Sequence, residues 1–425
     1  MSPLTSVVVA IVPGAAVRPA EIAAAAQACG HTPVFVALPG ALGGPEHAEC
    51  AALGPVLACD PDAVGATVEE LRRHRPAGVT TFSEAMVPLV SAIGDGLDLS
   101  FHDPATVTLL TDKWAQRRRL AEAGVDAVRC TVVTDRAGLL AELRAQDGPV
   151  VVKPVRSQGS RDTWFVPVPD ALPAGLLPTP DRPFVVEEFL QGRGEGDFAD
   201  YVSVEGLVED GRVQTLGISG KLPMITPFRE VGAFFPSHLP PAELDAIAGL
   251  AADAVRALDV RRGHVHSEVK LTPDGPRLIE VNGRIGGYKS ELYGRVTGAD
   301  WLALGIAVAC GQPVGTVAPA RSDTVEFQFF NNPPLEGGVL RRVEGVDAVL
   351  REPGVVDYLA RFPVGSVLKP EGGTLWMDLL RGSAPDHAGM LKTIDQCLAQ
   401  MRFHIEAPDG ATRVWQAGRG GLCAV

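Results

Sequence analysis

The stretch His264-Val-His-Ser-Glu-Val-Lys-Leu-Thr-Pro-Asp-Gly-Pro-Arg-Leu-Ile-Glu-Val-Asn-Gly-Arg284 reads as a β-hairpin that gathers reactive side chains on one face. Side chains on a strand alternate between faces with period two. The first strand therefore sets His264, His266, Glu268 and Lys270 against Val265, Ser267, Val269 and Leu271. The second sets Glu280, Asn282 and Arg284 against Ile279 and Val281. Thr272-Pro-Asp-Gly-Pro276 is the turn, with Pro273 suited to a type I turn and Gly275 to the left-handed position of a three-residue loop. If Thr272 and Pro276 flank that loop, counting back four residues on each side sets Glu268 opposite Glu280.

Two adjacent carboxylates repel, and one would retain its proton unless a cation joins them. Mg²⁺ prefers oxygen ligands and commonly takes one or two carboxylates plus substrate phosphates. Glu268 and Glu280 are the expected metal ligands, with Asn282 adding a neutral oxygen. Arg284, two residues on, can hold phosphate oxygens bidentately. Taken singly, each of these residues is equally at home in a solvent-facing ion pair; the ordered set is the signal. His264, His266 and Glu268 also admit a His₂Glu zinc site, but that assignment leaves Asn282 and Arg284 without a task.

The chain has 425 residues, enough for two or three domains, with 46% hydrophobic residues and a net charge of −13. Its pI of about 5.2 argues against a nucleic-acid partner, which would require a basic surface. The apolar start over residues 5–12 is short and lacks a basic leader, so it reads as a buried strand and not as a signal peptide or membrane span. Seven scattered cysteines without a CxxC pair suit reduced thiols and a cytoplasmic location.

Alternating strand and helix patterns over residues 5–12, 19–29, 33–38, 64–75 and 78–82 suggest a small parallel sheet. The glycine fingerprint of dinucleotide folds is absent after the first strand. An amphipathic helix is expected over 111–123, with Asp112 near its start. Strands are expected over 149–154 and 184–188, a hairpin over 201–218, and a long helix over 241–258. Further helices are expected over 299–310 and 389–401.

Val150-Val-Val-Lys-Pro154 sets Lys153 at the end of a buried strand, ahead of Arg156-Ser-Gln-Gly-Ser-Arg161. A small flexible loop after a strand can fold its N–H groups over phosphates. Phe184-Val-Val-Glu-Glu-Phe-Leu190 runs from a strand into a loop whose backbone could meet an adenine edge, with Glu187 reaching the amino group. Gly217-Ile-Ser-Gly-Lys221 imitates a P-loop, but Thr215 stands where glycine is required and Leu222 follows the lysine.

In order, Asp112-Lys113, Val150–Pro154 with its loop, Val186-Glu-Glu-Phe-Leu190, His266-Ser-Glu268 and Glu280-Val-Asn-Gly-Arg284 resemble the ATP-grasp superfamily. Thr81-Phe-Ser-Glu84 and Pro227-Phe-Arg-Glu-Val-Gly232 are similar to the bacterial L-amino-acid ligases and related carboxylate–amine ligases. The resemblance implies an α/β (α+β) fold with a parallel α/β domain over 1–103. A two-lobed ATP-grasp domain follows over 104–310, its lid at about 125–190, and an α+β domain over 311–425. It implies that Lys113 and Lys153 contact ATP phosphates, that Ser157, Gly159 and Ser160 form a mobile phosphate loop, and that Glu187, Glu188, Phe189 and Leu190 frame adenine. Residues 192–199 interrupt the stretch that binds ribose in many relatives, leaving Glu195 or Asp200 for that task. Arg284, Glu280 and Asn282 are the implied catalytic set. Ser83, Glu84, Lys221, Arg229, Glu230, His266 and Gly287 are the implied substrate contacts, with Arg229 facing a substrate carboxylate and Glu84 or Glu230 an ammonium. Ala233 stands where several dipeptide ligases carry histidine.

The implied reaction joins a carboxylate to an amine through an acyl phosphate, with ATP and two Mg²⁺ ions, which Mn²⁺ could replace. Its partners are small-molecule acids and amines, without nucleic acid or membrane, and a homodimer is one assembly open to it. An amino-acid substrate in a biosynthetic, specialised-metabolite or antibiotic pathway is the expectation. A biotin- or purine-type carboxylase and a non-catalytic nucleotide sensor are the alternatives.

Overall fold

A computed structural model describes residues 5–168, 171–173, 175–369 and 373–425. Near the N-terminus, four parallel strands run in the order Val56–Ala58, His31–Ala37, Thr5–Ala10, Pro76–Thr81. Three of them were legible as apolar, β-branched runs. The fourth, Val56–Ala58, and the preceding helix Gly44–Leu53 were not, because that helix buries little more than Cys50. Val7, Val9 and Phe35 on one face of this sheet and Val8, Val34 and Val79 on the other are fully or almost fully buried.

The central element is an eight-stranded antiparallel sheet. Its order is Gly275–Asn282, Gly263–Thr272, Tyr201–Glu209, Arg212–Lys221, Gly232–Phe235, Val325–Phe329, Asp378–Ala384, Val355–Ala360. The last three strands come from the C-terminal third of the chain. The expected 201–218 hairpin therefore belongs to the same sheet as the Gly263–Asn282 hairpin. Helix Pro241–Ala257 packs on it through Ile247, Ala251, Ala254 and Val255. A separate antiparallel sheet orders Cys130–Val133, Phe184–Glu188, Val150–Pro154 and Trp164–Val166. A five-stranded sheet closes the C-terminal region, with helix His387–Gln400 covering part of the adjoining core.

The helix expected over 111–123 is two helices. Pro104–Thr111 ends at Asp112, whose carboxylate then caps Lys113–Glu122 by accepting from the Ala115 N–H at 3.0 Å. Aspartate favours this capping position because its side chain satisfies an otherwise unpaired helix donor. The break aims Lys113 at the start of the second helix. It also aims Gln116 at the hairpin, where the amide donates to Val281 O at 2.8 Å and accepts from Val281 N at 2.9 Å.

Glu268 does pair with Glu280, but by a different route from the one the turn suggested. The loop is one residue shorter: Thr272 pairs with Gly275 and Leu271 with Pro276. A β-bulge between Glu268 and Val269 then inserts Ile279 and restores the carboxylate pairing. The bulge turns Ile279 away from the apolar face that it was expected to share with Val281. Leu278 and Val281 enter the core instead.

Replacing Gln116 with leucine would leave the buried Val281 N–H and C=O without these side-chain partners. We expect a loss of about 1–3 kcal/mol, read as a lower midpoint of urea unfolding with the far-ultraviolet spectrum retained. An unchanged midpoint would mean that this amide does not hold the hairpin.

Candidate nucleotide and acid–amine site

A cavity of about 590 Å³ lies between the hairpin, the small antiparallel sheet, the parallel sheet and the C-terminal region. Glu268 and Glu280 face it from adjacent strands. Lys113 links two parts of its wall: its Nζ donates to Ser157 O at 2.7 Å and lies 3.8 Å from Glu280 Oε2. Burial acts to raise Glu280, but Lys113 and Lys153 outweigh it and hold this carboxyl below the usual range. Ser157, Gly159 and Ser160 all line the cavity, and Gly159 and Ser160 have left-handed backbones. The Gly159 carbonyl accepts from Thr374 N at 2.9 Å, so the C-terminal region closes onto the loop.

Sequence reasoning missed Arg117. It sits one turn after Lys113 on the same helix face, a spacing that could have revealed it. Its guanidinium holds Glu187 at 3.1 and 3.3 Å and also donates to Leu278 O and Ile279 O at 2.7 Å each. Lys153 reaches the same carboxylate at 2.8 Å. Burial would raise Glu187, but Arg117 and then Lys153 pull it down to about 2. Glu187 is therefore occupied by two cations, contrary to the expectation that it reaches outward for an adenine amino group. It still lines the cavity, as do Glu188, Phe189 and Leu190.

Other expectations are corrected by their partners. Glu195 pairs with Arg193 and with His238 at 2.9 Å, away from the cavity. Asp200 also lies off the wall and pairs at 2.7 Å with Lys270, which does line it. Arg229 donates to Pro333 O at 2.7 Å and Thr226 O at 3.2 Å, and it does not line the cavity. Asn282 is buried off the wall and donates to Glu280 Oε1 at 3.1 Å, so it orients a carboxylate that does face the cavity. His264 turns onto Trp301 O at 2.6 Å, which separates it from His266. Among the described residues, no group of three His, Cys, Asp or Glu side chains assembles as a metal site.

Ser83, Glu84, Lys221, Glu230, His266 and Gly287 do meet at the cavity. Neither Glu84 oxygen has a hydrogen-bond partner among the described residues, and Arg284 Nε lies 3.6 Å away. Burial pushes Glu84 up to about 7, opposed by Arg284. Lys221 pairs with Glu230, which also accepts from Tyr201 Oη at 3.0 Å. Burial would raise Glu230, but Lys221 holds it down at about 2. His266 gives Nδ1 to Glu205 at 2.6 Å and sets Nε2 3.4 Å from Glu268. Burial acts to lower His266, but Glu205 raises it overall. Gly286 donates to Glu205 at 3.0 Å, and a Cβ on it would stand 2.7 Å from His266 Nδ1. Lys289, unflagged by the sequence, also lines the cavity; burial and then Lys221 push it down to about 7. Phe82, Phe228, Phe362 and Trp376 are among its aromatic lining residues. The arrangement offers two opposed carboxylates, several fixed cations and aromatic lining side chains.

No family model matches the chain. It is 28% identical over 254 residues to the alanine–anticapsin ligase of Bacillus subtilis (strain 168), covering 55% of this chain and 53% of that protein. The chain thus spans about half the length of the curated relatives it matches. The crystal structure of an L-amino acid ligase from Bacillus licheniformis superposes with a TM-score of 0.79 at 20% identity, covering 95% of this chain and 99% of that one. The biotin carboxylase domain of a Hydrogenobacter thermophilus 2-oxoglutarate carboxylase, solved with MgADP and bicarbonate, gives 0.67 at 14% identity, covering 97% and 92%.

The Arg117–Glu187 contact has a defined pH signature. Glu187 falls from an ordinary 4.5 to about 2 on folding, so its stabilisation is complete above about 4.5 and is lost as pH falls towards 2. Arg117→Met leaves Lys153 alone against the cost of burial, so the folded-state value rises. We expect that variant to unfold at a distinctly higher pH than the parent, followed by tryptophan fluorescence. An acid transition at the parent's pH would remove this contact from the account.

Proposed function

The chain has the ATP-grasp fold, and on it we propose an ATP-dependent carboxylate–amine ligase that forms an amide or peptide bond and releases ADP and phosphate. The observation that carries this reading is the direct opposition of Glu268 and Glu280 on a cavity wall that also bears Lys113, Lys153 and Arg284. The donor set suits a hard divalent cation: two carboxylates face the cavity, and an amide behind fixes one of them. Glu268 and Glu280 would hold Mg²⁺, one ion or two, with Asn282 orienting Glu280. When bound, that metal would neutralise charge on the nucleotide's phosphates.

The remaining chemistry follows from this chain's own side chains. An acid's carboxylate oxygen attacks the γ-phosphorus of ATP, and the bond to ADP breaks. Two anions must approach, so positioning and charge neutralisation dominate the barrier. Lys113 and Lys153 would supply fixed charge, and Arg284, which lines the same cavity, would stabilise the transferring group. The Ser157–Ser160 loop closes over the phosphates, held by Lys113 on one side and Thr374 on the other. The amine then attacks the acyl carbon, phosphate leaves and a proton is lost. Water would hydrolyse the acyl phosphate, so closure of the loop protects the intermediate. Glu84, buried and without a hydrogen bond among the described residues, with Arg284 as its ionic neighbour, is suited to receive the ammonium of an amino-acid substrate. The likeness to an L-amino acid ligase and an alanine–anticapsin ligase supports an amino acid as substrate and a specialised-metabolite role. A biotin-type carboxylase shares the fold at lower similarity.

The test is a panel of acids and amines supplied with Mg-ATP and read by phosphate release and product mass. We expect ADP and phosphate only when a matching acid and amine are both present. Bicarbonate-dependent phosphate release without an amide product would favour the carboxylase. Glu280→Gln should lower turnover by more than about 100-fold, as expected when charge stabilisation at the reacting group is removed, while leaving the circular dichroism spectrum unchanged. Retained turnover would take Glu280 out of the metal site.

A further inference from the structure

The side chains around the cavity divide into two groups by their contacts. Lys113 binds the Ser157 carbonyl and approaches Glu280, while Lys153 and Arg117 share Glu187. On the sheet behind, Lys221 pairs with Glu230, which also accepts from Tyr201, and Lys289 lies beside Ser219. The first group is committed to the nucleotide end in the reading above. The second is given no task in that reading.

Lys289 is the unusual member. It is the first residue of helix Lys289–Thr297, separated from Gly286-Gly287 by Tyr288, and is only 2% exposed. Its Nζ donates to Ser219 Oγ at 2.6 Å, and Ser219 Oγ lies 2.8 Å from Ser203 Oγ. No carboxylate comes within 4.0 Å of this ammonium among the described residues. The nearby acids are engaged elsewhere: Glu230 by Lys221 and Tyr201, Glu205 by His266 and Gly286 N. A buried ammonium has three donors and a large desolvation cost, and here a neutral hydroxyl takes one donor. Its other neighbour is the cavity, whose wall it helps to form.

We propose that Lys289, with Lys221 beside it, is the recognition site for the carboxylate of an amino-acid acceptor, the substrate that supplies the amine. The proposal rests on the ligase reading and names a residue for acceptor choice within it. An ion-paired carboxylate would satisfy the free donors of Lys289 and leave the acceptor's amino group between it and the Glu268 end, where the acyl group would form. Arg229, the residue expected from sequence to meet a substrate carboxylate, is tied to the Pro333 and Thr226 carbonyls and does not reach the cavity. Lys289 provides the buried cation that Arg229 does not.

The test separates acceptors with and without a carboxylate. The donor acid is first identified by hydroxamate formation with hydroxylamine, an acceptor that has no carboxylate. The proteinogenic L-amino acids and their carboxamides are then compared at a fixed donor concentration. We expect the parent to favour free acids over amides, and Lys289→Met and Lys289→Gln to raise KM for the acids by about 10–100-fold, the scale of a charged hydrogen bond. Their use of amides and hydroxylamine should change by less than about threefold on the same scale. Equal use of acids and amides by the parent would overturn the proposal, even if neither variant folds. So would a parallel loss with acids, amides and hydroxylamine, which is the signature of structural damage. If no acid yields a hydroxamate, the ligase reading fails by itself. Thermal unfolding with Mg²⁺ and a non-hydrolysable ATP analogue then decides the site. Stabilisation by amino acids but not their amides, lost in Lys289→Met, supports it; no difference between the two panels overturns it.

Discussion

The geometry of the site depends on one irregularity, the bulge at Ile279, and on the guanidinium that holds it. A regular hairpin with the observed two-residue loop would not set Glu268 opposite Glu280. The extra residue restores that pairing and exposes backbone carbonyls that the strand ladder no longer satisfies. Arg117 takes the Leu278 and Ile279 carbonyls and, with its remaining N–H groups, the Glu187 carboxylate. A single buried side chain thus links the hairpin that bears the opposed carboxylates to strand Phe184–Glu188, whose following loop lines the cavity. Breaking a buried ion pair on one side leaves an uncompensated charge and costs about 3–5 kcal/mol. That cost makes the two elements one structural unit.

Charge is distributed along the cavity with the same economy. At one end, Lys153 and Arg117 hold Glu187, and Lys113 approaches Glu280. At the other, Lys221, Lys289 and His266 are interleaved with Glu205, Glu230 and Glu268. Most of these groups are buried or half-buried; cationic neighbours hold Glu187, Glu205, Glu230 and Glu280 charged, while burial pushes Lys289 towards neutrality. Glu84 stands out because, among the described residues, its two oxygens are left without hydrogen bonds, a state that native interiors rarely tolerate away from functional sites. The proposed substrates would supply what these groups lack: phosphates for the first set, an ammonium for Glu84 and a carboxylate for Lys289.

Much of this was legible in the chain, and the exceptions share a cause. Period-two alternation reported the hairpin, and a buried strand ending in Lys153 reported the loop after it, because these are local patterns. The Glu268–Glu280 pairing was read correctly from a wrong loop length, since a shorter turn and a bulge cancel in the count. Glu195, Asp200 and Arg229 were misplaced because the partners that claim them are set by tertiary packing: His238, Lys270 and the Pro333 carbonyl. Lys289 carried no signal, since a lysine in a Gly-Gly-Tyr-Lys stretch is commonplace until its burial is known. Arg117 was within reach through its spacing from Lys113.

The central claim is that an acid's carboxylate oxygen is transferred to phosphate. The most direct measurement uses an acid that supports turnover, labelled with ¹⁸O in its carboxyl group, with mass analysis of the phosphate and nucleotide released. One labelled oxygen in each phosphate and none in the nucleotide is the predicted result. Label in AMP, or unlabelled phosphate alongside an amide product, would contradict the account.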